Sequence, residues 1–233
     1  MKTAILINGF IRTWENCKQS FKDTFSHLNA DIFLSTYDMK YGYAPYIKGL
    51  INFHEDEKIT MEQIYEMFKD LNMIACNYSE TDKMDEVMEQ MKPYIRIDYH
   101  NIHTFLAQTI KINNGMDMIR LNEEASGFKY DQIIKTRCDL IYHKFDPVVA
   151  PGQVLIDAGS TFPNDCFYMA RRDEMFAIQE FMIEEYFKPK YLAESSSWPP
   201  HSILHSAFKH NKLEIKTDRI MDYVERVNLK QKY

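Results

Sequence analysis

The sequence predicts an α/β fold in which helices flank a mixed, mostly parallel sheet. The chain opens with a continuous apolar run, Thr3 to Asn8, which ends at Gly9 and is typical of a buried strand. Apolar residues then recur at helical spacing from Trp14 to Leu28, and a second buried-strand pattern covers Ala30 to Ser35. These segments predict a βαβ unit over residues 1–38, which places the carboxyl ends of its parallel strands at one edge of the sheet.

The later elements are predicted from capping residues and apolar periodicity. Thr60 is an expected helix cap, Gly127 an expected helix terminator, and Asp173 suits the positive end of a helix. The predicted elements are a helix after Thr60, strand Met73 to Asn77, a helical methionine stripe in Asp82 to Met91, helix His103 to Ala125, strand Tyr130 to Tyr142, strands Val154 to Asp157 and Cys166 to Ala170, helices Asp173 to Phe187 and His201 to His210, and strand Leu213 to Thr217.

Length and composition indicate a single globular domain. The 233 residues, 45% of them hydrophobic, are enough for one large core. We expect one domain over residues 1–233, with the βαβ unit at 1–38, a variable insert at 39–99 and a second half at 100–223. The oligomeric state stays open.

Charge, hydropathy and cysteine spacing exclude several classes of protein. A formal net charge of -6 offers no positive field for phosphate backbones, so a nucleic-acid partner is not expected. No apolar run approaches the ~18 residues of a membrane span, so no transmembrane segment is expected. The four cysteines form no C-x-x-C pair, which points to a reducing, cytoplasmic location rather than a disulfide framework.

The turn from Asn8 to Thr13 is the first candidate site. Backbone N–H groups between a strand and the helix that follows favour an anion, and Arg12 would add a guanidinium for a diphosphate. The turn matches neither the P-loop nor the G-x-G-x-x-G pattern. An ordinary surface arginine beside a tight turn stays the alternative reading.

The second candidate site is the polar centre of the strand predicted over Tyr130 to Tyr142. Strand alternation places Lys135, Arg137 and Asp139 on one face. Arg137 and Asp139 either pair with each other or bind a ligand, with Arg137 on a phosphate and Asp139 on a ribose or a divalent cation.

Two further sets of residues carry weaker signals. Asp165 precedes a predicted strand, where it is either a general base or a turn-forming residue. His201 and His205 share a helical face at a spacing that can ligate zinc, although the Glu of H-E-x-x-H is missing.

Taken in order, several segments resemble a known family. These are INGFIRTWENCKQSF, ADIFLSTYD, GFKYDQIIKTRCDLIY, NDCFYMARRDEM and PPHSILHSAFKHNKLEI, which together cover roughly residues 3–217. The pattern is similar to that of small nucleotide-sugar glycosyltransferases with the GT-A fold, of the bacterial and viral polysaccharide-synthesis type. The resemblance implies transfer of a sugar from a nucleotide-sugar donor to a hydroxyl acceptor, such as a glycan.

The resemblance also implies roles for individual residues. Residues 1–38 would be the nucleotide-binding unit and residues 100–223 would carry the central site strand and the acceptor half. The implied donor contacts are Gly9, Arg12, Thr13, Asp38, Lys135 and Asp139, the implied catalytic residues are Asp165 as base and Arg137, and the implied acceptor contacts are Trp198 and His201.

One departure from the family concerns the metal. The family's Asp-x-Asp, which holds Mn²⁺ or Mg²⁺, would fall at residues 137–139, where Arg137 replaces the first carboxylate and leaves Asp139 as the metal candidate. Arg137 or Arg12 would then neutralise the diphosphate in place of the metal. Two alternatives stay open: a non-catalytic protein that binds nucleotide sugars, and a nucleotidyltransferase.

Overall fold

The computed structural model describes residues 1–11, 13–38, 58–80, 86, 90, 102–158, 165–187 and 199–223, without the side chains of 102–106, 186–187, 199–201 and 223. The strands are β1 Thr3–Asn8, β2 Asp31–Tyr37, β3 Met73–Ser79, β4 Gln132–Thr136, β5 Leu140–Tyr142, β6 Gln153–Asp157, β7 Tyr168–Arg171, β8 Glu214–Asp218 and β9 Met221–Tyr223. The helices are α1 Trp14–Phe25, α2 Met61–Phe68, α3 Ile102–Ser126, α4 Arg172–Phe187 and α5 Pro199–His210.

Seven of these strands form one sheet in the order β3-β2-β1-β4-β7-β6-β8. Strand β1 pairs in parallel with β2 and β4, β2 pairs in parallel with β3, and β6 pairs in parallel with β8. Only β7 among these strands runs antiparallel to its neighbours β4 and β6. The predicted fold class, a mixed and mostly parallel sheet flanked by helices, is confirmed.

Helices cover both faces of the sheet because its central strands are apolar on both sides. Ile5 and Ile7 of β1 pack in one cluster with Trp14 and Phe21 of α1 and with Phe68 of α2. The other face of β1, through Ala4 and Leu6, packs against α3 and shares a cluster with residues of α4 and α5. This double burial explains why β1 reads as an unbroken apolar run.

Gly115 allows α3 to lie close to β1. A Cβ atom at this position would stand 2.1 Å from Leu6 Cδ1, which is too close for any side chain to be accommodated without a shift. The glycine that interrupts the apolar period of the helix is therefore the point of closest packing against the sheet.

Most predicted elements lie within two or three residues of the observed ones, but the strand predicted over Tyr130 to Tyr142 is wrong. Strand β4 ends at Thr136, a turn follows, and β5 pairs antiparallel with β9 in a separate two-stranded sheet. Lys135, Arg137 and Asp139 are consequently not on one face of a continuous strand. The methionine stripe of residues 82–91 lies largely outside the described residues.

Within the described ranges, no helix combines the length and the apolar character that crossing a bilayer requires.

Candidate active site

The chain changes direction across the sheet beside β1, and the candidate site lies at that point. After β1, the chain adds β2 and then β3 on one side of β1, and it next places β4 on the other side of β1. The carboxyl ends of β1 and β4 therefore flank a topological switch point, where open α/β sheets bind their ligands. Because β7 is antiparallel to β4, its first residues reach the same edge, which we call the rim.

Gly9 and Thr13 form the β1 side of the rim. Gly9 has φ of +103°, a region that L side chains rarely adopt, and its N–H donates to Ser35 O at 3.0 Å. Thr13 is the N-cap residue of α1, and its side chain makes no capping hydrogen bond but lies 3.8 Å from Cys17 Sγ. Two first-turn N–H groups of α1 are satisfied by the backbone instead, since Trp14 N donates to Ile11 O and Asn16 N donates to Thr13 O, each at 2.9 Å.

Arg137 and Asp139 form the β4 side of the rim, and they pair with each other. Arg137 Nε donates to Asp139 Oδ1 at 2.8 Å, and Nη2 donates to Oδ2 at 2.5 Å. The Asp139 side chain is 3% exposed and that of Arg137 is 23% exposed. A turn brings Arg137 and Asp139 together, rather than the alternation of a strand. Of the two interpretations left open by the sequence, the structure shows the pairing of the two residues with each other.

Lys135 and Asp165 contact each other next to this pair. The Lys135 ammonium is fully buried and donates to the main-chain oxygen of Asp165, which precedes β7. Burial lowers the pKa of Lys135 from 10.5 to about 8, and the carboxylates of Asp165 and Asp139 oppose that shift. Asp165 is itself buried, and its Oδ1 accepts a weak hydrogen bond from Cys166 Sγ at 3.6 Å.

Arg137 also reaches the start of β7. Its Nη1 donates to Cys166 Sγ at 3.6 Å, so the guanidinium touches both the turn after β4 and the residue next to Asp165. The structure therefore brings Lys135, Arg137, Asp139 and the main chain of Asp165 together, while their roles in a site stay predictions.

Asp38 lies on the other side of β1, at the end of β2. It is 2% exposed, and its Oδ2 is 3.1 Å from Lys58 Nζ. Its N–H donates to Ser79 O at 3.0 Å, which holds it to the end of β3. Asp38 thus shares the rim with Gly9 but belongs to its β2–β3 part.

An aromatic pair and a buried lysine in this part of the rim were missed by the sequence analysis. Phe10 stacks on Tyr37 with ring centroids 4.9 Å apart, and Phe10 is partly exposed. Lys111 of α3 donates to Asn77 Oδ1 at 3.0 Å and to Ser79 Oγ at 2.7 Å, and burial lowers its pKa to about 8. Lys111 lies four positions before Gly115 on the face of α3 that packs against the sheet, and this position could have indicated its burial from the sequence.

Asn8, the last residue of β1, is a second residue that the sequence analysis did not single out. It is 1% exposed, and neither atom of its amide has a hydrogen-bond partner in the described part of the chain. Ser35 Oγ, at the partner position on β2, is buried and lacks a partner too. Buried polar groups in this state are rare and mark places where water or a ligand completes the structure.

The residues at the rim do not fit a divalent cation well. Both carboxylate oxygens of Asp139 already accept hydrogen bonds from Arg137, and the described residues contain no group of three Asp, Glu, His or Cys that could hold a metal ion. Mn²⁺ and Mg²⁺ prefer several oxygen ligands, whereas the guanidinium of Arg137 engages both oxygens of the one carboxylate here.

Some of the predicted contacts cannot be placed. Arg12 and Trp198 lie outside the described residues, and so does the side chain of His201, although its backbone belongs to α5. The predicted acceptor contacts and the zinc reading of His201 with His205 therefore stay predictions.

Comparison with known proteins finds likeness in structure and not in sequence. No protein-family model matches this chain, and no curated protein matches it significantly. The apo form of the glycosyltransferase GlyE of Streptococcus pneumoniae is 13% identical with a TM-score of 0.47, covering 92% of this chain and 44% of that one. The galactosyltransferase LgtC, in complex with donor and acceptor sugar analogues, is 9% identical with a TM-score of 0.44, covering 93% and 73%.

Both of these solved structures are glycosyltransferases. The chain spans less than half the length of the GlyE chain that it matches. At these identities the likeness assigns no role to individual residues.

Proposed function

We propose that this protein is a glycosyltransferase that moves a sugar from a nucleotide-sugar donor to a hydroxyl group of an acceptor, in the cytoplasmic synthesis of a glycan. The observation that carries the proposal is the set of charged residues at the switch point. Arg137 contacts Asp139 and Cys166, and Lys135 donates to the main-chain oxygen of Asp165, so these groups lie together where β4 and β7 meet. The parallel pairing of β1 with β4 brings Gly9 to the same edge of the sheet.

The donor would lie across the rim, with its nucleoside toward β2 and its diphosphate toward β4. Phe10 supplies a stacking surface for the base, and Asp38 is placed for the ribose hydroxyls. The positive end of the α1 dipole favours the diphosphate. Arg12 would add charge there, and Trp198 and His201 would contact the acceptor, as the resemblance implies.

Asp165 is the proposed general base. It accepts the proton of the acceptor hydroxyl while the new bond forms between that oxygen and the anomeric carbon. The bond from the anomeric carbon to the diphosphate oxygen breaks at the same time, and the nucleoside diphosphate leaves with the electron pair. Arg137 and Lys135 stabilise the negative charge that develops on the leaving group.

The experiment is a turnover assay with UDP-, GDP- and CMP-sugars, alone and with a panel of glycan acceptors. The expected result is release of nucleotide with at least one donor, and an Asp165→Asn variant that loses roughly 100-fold or more in rate, as removal of a general base does. Asp157→Asn provides the matched control, since Asp157 is also buried but lies on β6, where its Oδ1 accepts from Ile220 N and Met221 N.

A binding protein without turnover is the second candidate function, and the Arg137–Asp139 pair favours it because the metal-holding carboxylate pair is missing. Tight binding of a sugar nucleotide with no transfer or hydrolysis of any donor would establish that reading. Formation of pyrophosphate from a nucleoside triphosphate and a sugar phosphate would instead identify a nucleotidyltransferase.

A further inference from the structure

The family resemblance places the metal-binding carboxylates at residues 137–139, where this protein has the Arg137–Asp139 pair. The geometry of this pair differs from that of a metal site. The guanidinium makes two parallel hydrogen bonds, of 2.8 Å and 2.5 Å, with the two oxygens of one carboxylate. This bidentate arrangement is among the strongest charge-assisted contacts in proteins. A cation bound to Asp139 would have to displace at least one of these bonds.

The positive charges of Arg137 and Lys135 also oppose the binding of a divalent cation next to Asp139. Lys135 interacts electrostatically with Arg137, Asp139 and Asp165, so two positive groups already face two carboxylates within this cluster. A divalent ion placed beside Arg137 and Lys135 would meet like charges in a buried environment, where repulsion is poorly screened. Counted over the described residues, the charges of Arg137, Lys135, Asp139 and Asp165 balance without metal.

The guanidinium is nevertheless able to receive a phosphate. Its Nη1 donates to the thiol of Cys166 at 3.6 Å, and sulfur is a weak acceptor that a phosphate oxygen readily replaces. Asp139, by holding Nε and Nη2, fixes the plane of the guanidinium and keeps Nη1 directed toward β7. Asp139 is in this arrangement a positioning residue for Arg137.

We propose that this protein binds the diphosphate of its donor without a divalent cation, through Arg137 oriented by Asp139, with the buried charge of Lys135 behind it. The inference rests on the proposed function, since it assumes a donor that carries a diphosphate. It assigns to a fixed guanidinium the charge neutralisation that Mn²⁺ or Mg²⁺ provides elsewhere.

The test measures nucleotide affinity and metal affinity separately. Titration calorimetry with UDP and with GDP, in EDTA and in Mn²⁺, gives the first, and the electron paramagnetic resonance of Mn²⁺ gives the second without any nucleotide. The first variant, Arg137→Asp, would place two carboxylates at the spacing of Asp-x-Asp. The second variant, Arg137→Lys, keeps the positive charge but loses the planar set of N–H donors of the guanidinium. Arg120→Asp, on the exposed side of α3, controls for the change in net charge.

The expected result for the parent protein is the same nucleotide affinity in EDTA and in Mn²⁺, within about 2-fold, and no bound Mn²⁺. Both Arg137 variants should lose roughly 10-fold in affinity in EDTA, and Arg137→Asp should gain a Mn²⁺ site. If Arg137→Asp does not fold, the parent protein and Arg137→Lys still decide the question.

Two results would overturn the inference and leave the proposed function standing: a parent protein that binds Mn²⁺ at one equivalent, or one whose nucleotide affinity rises 10-fold or more with Mn²⁺. Failure of the proposed function looks different. If neither UDP nor GDP binds in either condition, the donor class itself is wrong, and the diphosphate inference is overturned with it, whatever the Mn²⁺ titration shows.

Discussion

Two arginine–carboxylate pairs lie at opposite edges of the central sheet, and their hydrogen bonds are almost identical. At the rim, Arg137 holds both oxygens of Asp139. At the other edge, Arg172 Nε donates to Glu123 Oε1 at 2.8 Å and Nη2 donates to Oε2 at 2.6 Å. Burial is similar too, with side chains 23% and 3% exposed in the first pair and 18% and 4% in the second.

The pairs differ in what they connect. Arg172 and Glu123 are 49 positions apart, and they join the start of α4 to the last turns of α3. Glu123 also accepts from Tyr130 N at 2.9 Å, and Arg172 lies over the Phe176 ring at 4.7 Å. Arg137 and Asp139 are two positions apart in one turn. The geometry of an ion pair therefore does not reveal whether it holds the fold together or prepares a site, but its connections do.

The largest expected effect on stability comes from breaking the connecting pair. Glu123→Ala leaves Arg172 and Tyr130 N without their shared acceptor, and we expect the free energy of unfolding to fall by about 3 kcal/mol. Urea denaturation measures it. Glu124→Ala, at the exposed neighbouring position, is the matched control, and equal losses in the two variants would contradict the structural role of Glu123.

A smaller effect, visible only in alkaline solution, is expected from the lysine behind the rim pair. The unfolded chain keeps the Lys135 proton up to about pH 10.5, while the native state releases it near its pKa of about 8. Between these values the unfolded state binds more protons, so stability gains about 1 kcal/mol for each pH unit relative to Lys135→Met. Below pH 8 the difference between parent and variant stays constant.

Denaturation curves of the parent and of Lys135→Met from pH 7 to pH 10 would follow this difference. The exposed Lys18 supplies the control, since Lys18→Met should run parallel to the parent. A parallel course for Lys135→Met as well would mean that the Lys135 pKa is not lowered in the native state.

The smallest expected effect on stability comes from neutralising the rim pair. Arg137→Gln with Asp139→Asn replaces both charges by amides that can bond to each other, and we expect the free energy of unfolding to change by less than about 1 kcal/mol. The matched double variant, Glu123→Gln with Arg172→Gln, should lose more because the ring contact to Phe176 disappears. Similar losses in both double variants would remove the distinction between the two pairs.

The sequence predicts a strand well where both of its faces are buried. It predicts a strand poorly where pairing with a strand far along the chain determines the sheet to which it belongs. The apolar run Thr3 to Asn8 coincides with β1 at both ends because both of its faces are covered. The apolar residues on either side of Arg137 look like one strand, yet β5 leaves the main sheet to pair with β9, which lies about 80 positions further along. Nothing local in the sequence signals that partner.

The candidate site was predictable in part for the same reason. Lys135, Arg137 and Asp139 were found because they interrupt an apolar pattern within five positions of each other. Phe10 and Lys111 were missed because their roles depend on Tyr37 and Ser79, which reach the rim from other strands. Asn8 escaped notice because an amide at the end of a strand is ordinary until its lack of partners is seen.

The pairing of Leu140 with Tyr223 has a consequence for the order in which the site matures on the ribosome. The turn that carries Asp139 is followed by a strand whose partner is synthesised after every other described element. A nascent chain that has already formed β1 to β4 therefore still lacks the hydrogen bonds that fix the segment next to Asp139. We expect the segment next to Asp139 to become fixed only after translation has passed residue 223.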